Sequence, residues 1–559
     1  MRAPPLISRH VLAVLCILDL LLLAGCAATS QPAPSGAPGA PAGEPKRGGT
    51  LTQEWSASPP GIDSDAHQST ASTTSTGPGN IYLQLLGEDT QARGGKIIGY
   101  LAISWDISAD AKTWTFKVRE LTTAKGKPFN AEDVEYNINR MLTRPNGLPF
   151  ARSGCIRDMV ESVKATDKTT VVFALKEPIP AFFSCISSLY ILIMPKYVLE
   201  PIDQPGKYHR LTPEEVDGVG PFMLTKWTEG SIWEMTRNPN YYKEGLPYLD
   251  KYVIVQLPDM ASKIAAFRTK RIDMFTHNGG TPSKIEADEL KQEFGDQITQ
   301  AEGPFPGPAG FLLHWKRKPL DDIRVREAID LAYNRQSFRD IFNFGEGVPS
   351  GPYYCSWGTV FTCDELTKLP GYREDKTQDL QRAKTLMRQA GFNPDQPGAL
   401  TLTAGCTTPT PDSCDLLKDD LSKIGIDLRI SRMEEAARLQ QLANQEFDVS
   451  SWIRILTPSD PEAYNGQHYL PTAAENRAKW ENPKFMELFA KERVELNKEA
   501  RFKMVREMGQ ILLDDHVLLH GWAQVLHLGW WSYLKGHVPP HEIYPHQTNY
   551  TADYYWLDK

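Results

Sequence analysis

The sequence predicts a mixed α/β protein built from paired lobes, and three observations lead to this prediction. Residues 113–119 alternate between polar and apolar side chains with period two, which is typical of a half-buried strand. Asn130 is a favourable helix N-cap, and the residues after it form one apolar stripe, made of Val134, Ile138, Met141 and Leu142. With 559 residues, the chain exceeds the ~250–300 residues that a single core supports, so two or three domains are expected.

Further strands and helices alternate along the chain in the same way. The patterns predict a strand at residues 252–257 and helices at 260–269 and 416–424. They also predict a helix that Asp321 and Asp322 begin, and another that Thr377 caps and that stops at Gly391. This alternation implies α/β sheets covered by helices. Paired α/β lobes leave a crevice at the carboxyl ends of their strands, where ligands usually bind.

The composition is that of a soluble globular protein. Hydrophobic residues make up 41% of the chain and charged residues 23%. The net charge of −8 argues against nucleic acid as a partner, because binding to phosphates requires a basic face.

The N-terminus has the features of an exported lipoprotein. Basic residues precede an apolar run at 11–23, which is too short for a membrane span and fits the core of a signal peptide. The run ends in LAGC at 23–26, which resembles the lipobox of bacterial lipoproteins and predicts lipidation of Cys26. We therefore expect a signal peptide at 1–25 and, at 26–47, a flexible tether rich in Pro, Ala and Gly that holds the protein at a membrane face.

Six further cysteines agree with export, because an even number in an exported chain indicates disulfides. The pairs closest in sequence are Cys155–Cys185, Cys355–Cys363 and Cys406–Cys414, although six cysteines allow 15 connectivities. No C-x-x-C pair occurs, so neither a zinc ribbon nor a thioredoxin-type site is expected. No metal and no cofactor are predicted.

Motifs for catalysis are missing from the sequence. It contains neither a G-x-S-x-G nucleophile elbow nor a G-x-x-x-x-G-K-[ST] phosphate loop, and its carboxylates are scattered. A binding function is therefore favoured over an enzymatic one, and no catalytic residue is proposed. Catalytic groups that only folding brings together would escape such a search.

Two aromatic segments are the best candidates for a ligand site. The stretch FDVSSWIRILTPSDPEAYN, residues 447–465, begins as a strand containing Trp452 and Arg454 and then becomes a polar loop. Trp357 lies in a loop that a Cys355–Cys363 bridge would hold in place, and a constrained loop loses less entropy when it closes on a ligand.

Several segments together resemble the bacterial extracellular solute-binding proteins of family 5, which are the dipeptide-, oligopeptide- and nickel-binding components of ABC importers. The first segments are GGTL at 48–51, residues 101–120 and KPFNAEDV at 127–134. They are followed, in the family's order, by GPF at 220–222, RNPN at 237–240, GLPYLD at 245–250, DDIRVREA at 321–328, GVP at 347–349 and GID at 425–427. The resemblance runs from about residue 47 to the end of the chain.

This resemblance implies a type II periplasmic-binding-protein fold, with two hinged lobes and an extra domain. By analogy, lobe I comprises residues 48–82, 220–305 and 516–559, the extra domain comprises 83–219, and lobe III comprises 306–515. The lobes are expected to close on a small solute and present it to a membrane permease, while ATP hydrolysis belongs to a partner subunit. The chain is expected to be a monomer in the cell envelope, lipid-anchored on the periplasmic or extracellular face.

The resemblance also directs attention to the loop at 454–461. Peptide-binding members of the family hold the ligand's α-ammonium with an Asp four residues before the Pro of an acidic-Pro pair, and Thr457 occupies that position here. Asp460 could substitute after a shift of the loop. Arg454 favours a carboxylate or phosphate if it faces the cleft, or forms a salt bridge at the strand end. The complete set of candidate ligand-binding residues is Trp452, Arg454, Thr457, Asp460, Trp357, His314, Ser69 and Thr70.

Three functions follow from these observations. The first is an importer receptor for peptides. The second is a receptor with the same fold for a non-peptide solute, either an oligosaccharide stacked on Trp452 and Trp357 or an opine-like acid. The third, from a different class, is an exported hydrolase.

Overall fold

The structure is a computed structural model of the protein. It describes residues 43–56, 61–63, 74, 76–89, 97–150, 153–275, 280–304, 309–355, 360–407, 412–453, 460–473, 475–538 and 552–559. The predicted lipidation site Cys26, with the signal peptide and nearly all of the tether, lies outside these residues.

Lobe I is built on a four-stranded mixed sheet. Its first strand pairs in parallel with a strand that lies about 200 residues later in the chain, and the remaining pairs are antiparallel. In spatial order the strands are Thr50–Trp55, Lys251–Gln256, Ile232–Arg237 and Phe222–Thr228. A core that includes Leu51, Trp233 and Tyr252 covers this sheet.

The extra domain contains an antiparallel sheet covered by a helix. Its strands, in spatial order, are Ala102–Ile107, Thr113–Val118, Thr170–Leu175 and Val160–Asp167. The helix Ala131–Thr143 packs on the sheet and begins as predicted, because the Asn130 side chain accepts a hydrogen bond from the Glu132 backbone N–H.

Lobe III has a five-stranded sheet in which three neighbouring strands are parallel. In spatial order the strands are Ile426–Met433, Leu400–Thr407, Val449–Ile453, Ala309–Leu313 and Leu518–His520. The strand Ala309–Leu313 runs antiparallel to both of its neighbours. The parallel strands therefore end together at one edge of the sheet, where ligands bind in open α/β folds.

Helices surround the three sheets. The longest in lobe III are Ile323–Ala332, Thr377–Gln389, Asp412–Ser422, Glu435–Asn444, Pro483–Glu492 and Lys498–Asp514. Shorter helices in lobe III are Arg335–Phe342, Cys363–Thr367 and Pro461–His468, and lobe I contributes Met260–Arg268 and Lys284–Phe294. The extra domain adds Gly154–Met159, Phe182–Ile186 and Lys196–Leu199. Short pairs of strands complete the fold at Leu86–Glu88 with Ile97–Gly99, Leu121–Thr122 with Pro128–Phe129, Val348–Pro349 with Trp522–Ala523, and Leu534–Lys535 with Trp556–Leu557.

Two antiparallel strands, Ile298–Pro304 and Val525–Trp531, connect lobe I to lobe III, and we call them the crossing strands. The first leads into the lobe III strand Ala309–Leu313, and the second returns the chain from lobe III to lobe I. His527, on the second strand, lies between two carboxylates. Its Nδ1 is 3.2 Å from Glu302 and its Nε2 is 3.0 Å from Glu346 of lobe III.

Two hydrophobic cores combine residues from distant parts of the chain. Leu192, Leu199 and Val216 pack in the core that covers the lobe I sheet. Leu519 and Trp522 pack in the core of the lobe III sheet. The residue boundaries of the lobes stay a prediction.

Among the helices that the structure describes, none combines the length and the apolar character required to cross a bilayer. The same described residues contain no group of three or more His, Cys, Asp or Glu side chains that could hold a metal ion.

Arg335 links three parts of lobe III from a position that is 1% exposed. Its guanidinium pairs with Asp330 and donates to the backbone carbonyls of His520, at 2.6 Å, and Gly371, at 2.7 Å. The helix that it begins is thereby joined to the edge strand Leu518–His520 and to the loop at 371.

We therefore expect Arg335→Met to lower the free energy of unfolding by about 3–5 kcal/mol, because it leaves the Asp330 carboxylate buried without its cation. Denaturant unfolding followed by circular dichroism measures this change. The matched control is Arg382→Met, which removes an exposed pair with Glu327 at 3.3 Å and should change stability by about 0.5 kcal/mol or less. Equal effects of the two substitutions would contradict the assigned role of Arg335.

Candidate ligand-binding site

The carboxyl edge of the lobe III sheet is where the candidate site begins. The strand Val449–Ile453 ends at this edge, beside the end of its parallel neighbour Leu400–Thr407. The chain continues from there into residues 454–459. Arg454 and Thr457 belong to that segment and lie outside the described residues, as do Trp357, Ser69 and Thr70, so their predicted ligand contacts stay predictions.

Trp452 is the second-last residue of the strand Val449–Ile453, close to this edge, and its side chain is largely buried. The residue is 8% exposed and packs in the core of lobe III with Phe447 and Tyr464. The guanidinium of Arg438 lies 5.5 Å from the centre of its ring, within the range of a cation–π interaction. Trp452 therefore stabilises the edge and leaves little of its ring surface for stacking.

Arg438 is a residue that the sequence analysis missed. It lies on the helix Glu435–Asn444 and donates a 2.8 Å hydrogen bond to the backbone carbonyl of Ser451, one residue before Trp452. The only indication of this role in the sequence is that an arginine occurs in the helix before the strand. Its position at the edge requires the helix to pack against the strand, which a local pattern does not show.

The Asp460 side chain already forms hydrogen bonds and an ion pair within lobe III. Its side chain caps the helix Pro461–His468 by accepting a 2.9 Å hydrogen bond from the Glu462 backbone N–H. Both of its carboxylate oxygens also accept from the guanidinium of Arg501, one of them at 2.8 Å. Because this carboxylate already has a cationic partner, the arrangement does not favour the predicted contact between Asp460 and a ligand's ammonium group.

Asp460 belongs to a group of five charged residues, three of them buried, which we call the acid–arginine cluster. Its members are Asp460, Glu462, Glu492, Arg493 and Arg501. Arg501 Nε lies 2.7 Å from Glu492, and Arg493 Nε lies 3.3 Å from Glu462. Burial raises the pKa of Glu462 to about 7 and that of Glu492 to about 8, and the neighbouring carboxylates add to both shifts.

His314 lies at the other end of the lobe III sheet. It follows the strand Ala309–Leu313, whose end pairs with Val449, the first residue of Val449–Ile453. Its backbone N–H donates to the carbonyl of Asp448, and burial lowers the pKa of its ring. Four residues of extended chain, about 13 Å, separate this position from Ile453. The location does not favour the predicted contact between His314 and a ligand.

Lobe I presents a second set of polar residues where its own parallel strands end. Trp55, at the end of Thr50–Trp55, donates a 2.5 Å hydrogen bond from Nε1 to the Thr76 hydroxyl. Lys263 Nζ donates to the Ser56 hydroxyl at 2.7 Å, and burial lowers the pKa of this ammonium group. The sequence analysis did not identify Lys263, because its helix has no feature that separates a buried lysine from an exposed one.

Two disulfides enclose segments close to the candidate edge. Cys406–Cys414 connects the end of the strand Leu400–Thr407 to the helix Asp412–Ser422, and Cys355–Cys363 encloses the segment that contains Trp357. The third bridge, Cys155–Cys185, lies in the extra domain. All three are the pairs closest in sequence. A bridge limits the conformations of the loop that it closes.

The sheets and crossing strands define a class of protein: a type II periplasmic-binding-protein fold. Residues 96–476 match the family described as bacterial extracellular solute-binding proteins, family 5 Middle. The match covers more than half of the chain, and the chain belongs to this family.

Relatives with known names agree with this assignment. The chain is 28% identical over 444 residues to di/tripeptide-binding protein 2 of Pseudomonas aeruginosa, covering 75% of this chain and 80% of that protein. The solved structure of DppA from Helicobacter pylori with the peptide STSA has a TM-score of 0.76 at 21% identity, with 92% of this chain and 99% of that one covered. The solved structure of AgaA from A. tumefaciens R10 with agropinic acid has a TM-score of 0.73 at 19% identity, and the match covers 91% of this chain and 99% of that one.

The acid–arginine cluster makes stability depend on pH in a defined direction. The pKa values of Glu462 and Glu492 are raised in the folded protein, so these carboxyls keep their protons at a pH where the unfolded chain has released them. Their contribution to stability is fully present below the unfolded pKa and is lost as the pH rises through the folded values of about 7 and about 8.

Relative to the wild type, Glu492→Gln should therefore gain stability between pH 5 and pH 9, by about 1–3 kcal/mol, because glutamine imitates the protonated carboxyl and does not titrate. Denaturant unfolding of both proteins at several pH values measures the difference. Glu487→Gln, on the exposed face of the same helix, is the control. Its difference in stability from the wild type should not change between pH 5 and pH 9. A pH-independent difference for Glu492→Gln would show that this carboxyl is already ionised in the folded protein.

Proposed function

We propose that the protein is the lipid-anchored solute-binding component of an ABC importer that captures a peptide or peptide-like solute. The observation that carries this proposal is the similarity to di/tripeptide-binding protein 2, which extends over 444 residues and therefore over more than one lobe. Cys26 attaches the chain to the membrane, residues 26–47 serve as the tether, and the chain acts as a monomer. The protein binds its solute and catalyses no reaction.

Capture follows from the two lobes and their connection. Lobes I and III each end their parallel strands at an edge, and the crossing strands allow the two edges to approach each other. A solute held between them is removed from water, which strengthens its hydrogen bonds and ion pairs with the protein. The closed form then delivers the solute to a membrane permease, and an ATPase subunit supplies the energy.

A cation lies at each of the two edges. Arg438 lies at the lobe III edge and Lys263 at the lobe I edge, and both are buried. Each already has partners in its own lobe: Arg438 donates to the Ser451 carbonyl, and Glu54 and Asp259 attract the ammonium group of Lys263. In the proposed complex, the carboxylate of a peptide C-terminus is an additional partner for these cations.

The same cations support a second candidate, an opine-like acid, and AgaA has this fold and was solved with agropinic acid. An oligosaccharide receptor would use the same edges through aromatic stacking. An exported hydrolase is the candidate from a different class, and turnover of a bound solute would distinguish it.

A thermal-shift panel tests the proposal directly. Dipeptides and tripeptides, agropinic acid and a set of oligosaccharides are each added to the purified protein, and the unfolding midpoint is recorded. A solute present at 100 times its Kd stabilises the folded state by about 2.7 kcal/mol. We expect a dipeptide or tripeptide to raise the midpoint. A panel in which only agropinic acid or a sugar raises it would replace the peptide proposal with the corresponding alternative.

Thr457→Asp tests the proposed role of the loop that follows Ile453. If position 457 lies where peptide-binding relatives hold the ligand's ammonium, the new carboxylate should raise affinity for a dipeptide by about 10-fold or more, since an ion pair that is removed from water contributes more than an exposed one. Isothermal titration calorimetry measures the change. Thr457→Asn, with similar size and no charge, is the control. An unchanged affinity in Thr457→Asp would contradict the alignment of this position.

A further inference from the structure

Lobe III contacts the extra domain through Arg493. This residue follows the helix Pro483–Glu492 of lobe III. Its Nη2 lies 3.5 Å from the backbone carbonyl of Asp158, and its Nε lies 3.9 Å from the carboxylate of Glu177. Asp158 and Glu177 both belong to the extra domain. The lobe III sheet and the extra-domain sheet share no strand, so this contact depends on the Arg493 side chain and not on backbone pairing between strands.

Arg493 also contacts the element that follows the candidate ligand loop. Its Nε is 3.3 Å from Glu462, which lies in the first turn of the helix Pro461–His468. That helix begins directly after residues 454–459, and Asp460 caps it. One guanidinium therefore touches both the extra domain and the helix at the end of the candidate loop.

The two halves of this contact differ in strength. The Glu462 side chain is 4% exposed, so its pairing with Arg493 occurs out of water and should persist in any arrangement of the lobes. The Glu177 side chain is 54% exposed, and surface pairs of this kind contribute little individually. Movement of lobe III away from the extra domain would break the contacts with Glu177 and the Asp158 carbonyl and leave the contact with Glu462 intact.

We propose that Arg493 is a positioning residue that holds lobe III against the extra domain and thereby stabilises the closed arrangement of the cleft. Glu462 orients the guanidinium from within lobe III, and Glu177 with the Asp158 carbonyl receives it on closure. The contact is reversible because opening breaks only the contacts with Glu177 and the Asp158 carbonyl, while the contact with Glu462 remains.

This inference rests on the proposed function only for its effect on solute affinity. The arrangement of the lobes can be measured without any solute, so the two ideas fail separately. A protein that binds no peptide would still show whether Arg493 holds the lobes together.

Glu177→Lys is the informative variant, because it places a cation opposite Arg493 while changing an exposed residue of the extra domain. Small-angle X-ray scattering of the solute-free protein should give a larger radius of gyration for Glu177→Lys than for the wild type, with an unchanged unfolding midpoint. Arg493→Lys should have a smaller effect in the same direction, because lysine keeps the charge beside Glu462 and loses the planar fork that reaches the carbonyl.

The matched control is Lys491→Gln, which removes an exposed pair with Glu487 at 2.7 Å, two residues from Arg493. It should leave the radius of gyration unchanged. If a tripeptide such as trialanine binds the wild type, Glu177→Lys should weaken its binding by about 3- to 10-fold, mainly by raising the dissociation rate, because one charge-assisted contact and one surface pair are lost from the closed form.

Two results would overturn the proposal. The first is a solute-free radius of gyration that is the same in the wild type, Glu177→Lys and Arg493→Lys. The second is a trialanine affinity that Glu177→Lys leaves unchanged. Failure of trialanine and every other peptide to bind the wild type would instead count against the proposed function, and the scattering comparison would still decide the role of Arg493.

Discussion

The antiparallel pairing of the two crossing strands is the constraint on which the rest of this structure depends. Ile298–Pro304 and Val525–Trp531 carry the chain from lobe I to lobe III and back, and their backbone hydrogen bonds hold them together as one ribbon. Because both connections lie side by side, the lobes can rotate about them more easily than they can slide. His527 reinforces this ribbon, since its ring contacts Glu302 within it and Glu346 of lobe III.

In the proposed function, the edges of lobes I and III receive the solute through polar side chains on each lobe, among them Arg438 and Lys263. These groups are buried within their own lobes, so each is already oriented before a solute arrives. Orientation in advance reduces the entropy that binding must overcome. Much of the proposed recognition surface is therefore fixed by the lobes themselves.

The sequence predicted the local elements well, because their signals are local. The period-two pattern at 113–119 corresponds to the strand Thr113–Val118, and Asn130 and Asp322 cap their helices through their side chains. Thr377 was wrong as a cap: the helix that it begins has Lys376 at the N-cap position, and no side chain caps it. The fold family also followed from short segments of the sequence that occur in the family's order and are specific in combination.

The candidate site was harder to predict because its contacts join distant parts of the chain. Arg438 reaches the carbonyl of Ser451 only after a helix packs on a strand, and Arg501 reaches Asp460 across about 40 residues. The location of His314 depends on the strand Ala309–Leu313, which is antiparallel to its neighbours. The direction of a strand cannot be predicted from hydrophobic periodicity. Charge, burial and direction are properties of the assembled sheet.

The disulfides carry a consequence for when the molecule becomes competent to bind. Cys355–Cys363 and Cys406–Cys414 each close a short loop beside the candidate edge, and such bridges persist only where thiols are oxidised. A chain that folded in a reducing compartment would have its sheets and its core, but two of the loops around its cleft would retain the freedom that the bridges remove. Maturation of the recognition surface is thus a separate chemical event from folding of the lobes, and it is completed by the environment that the protein enters.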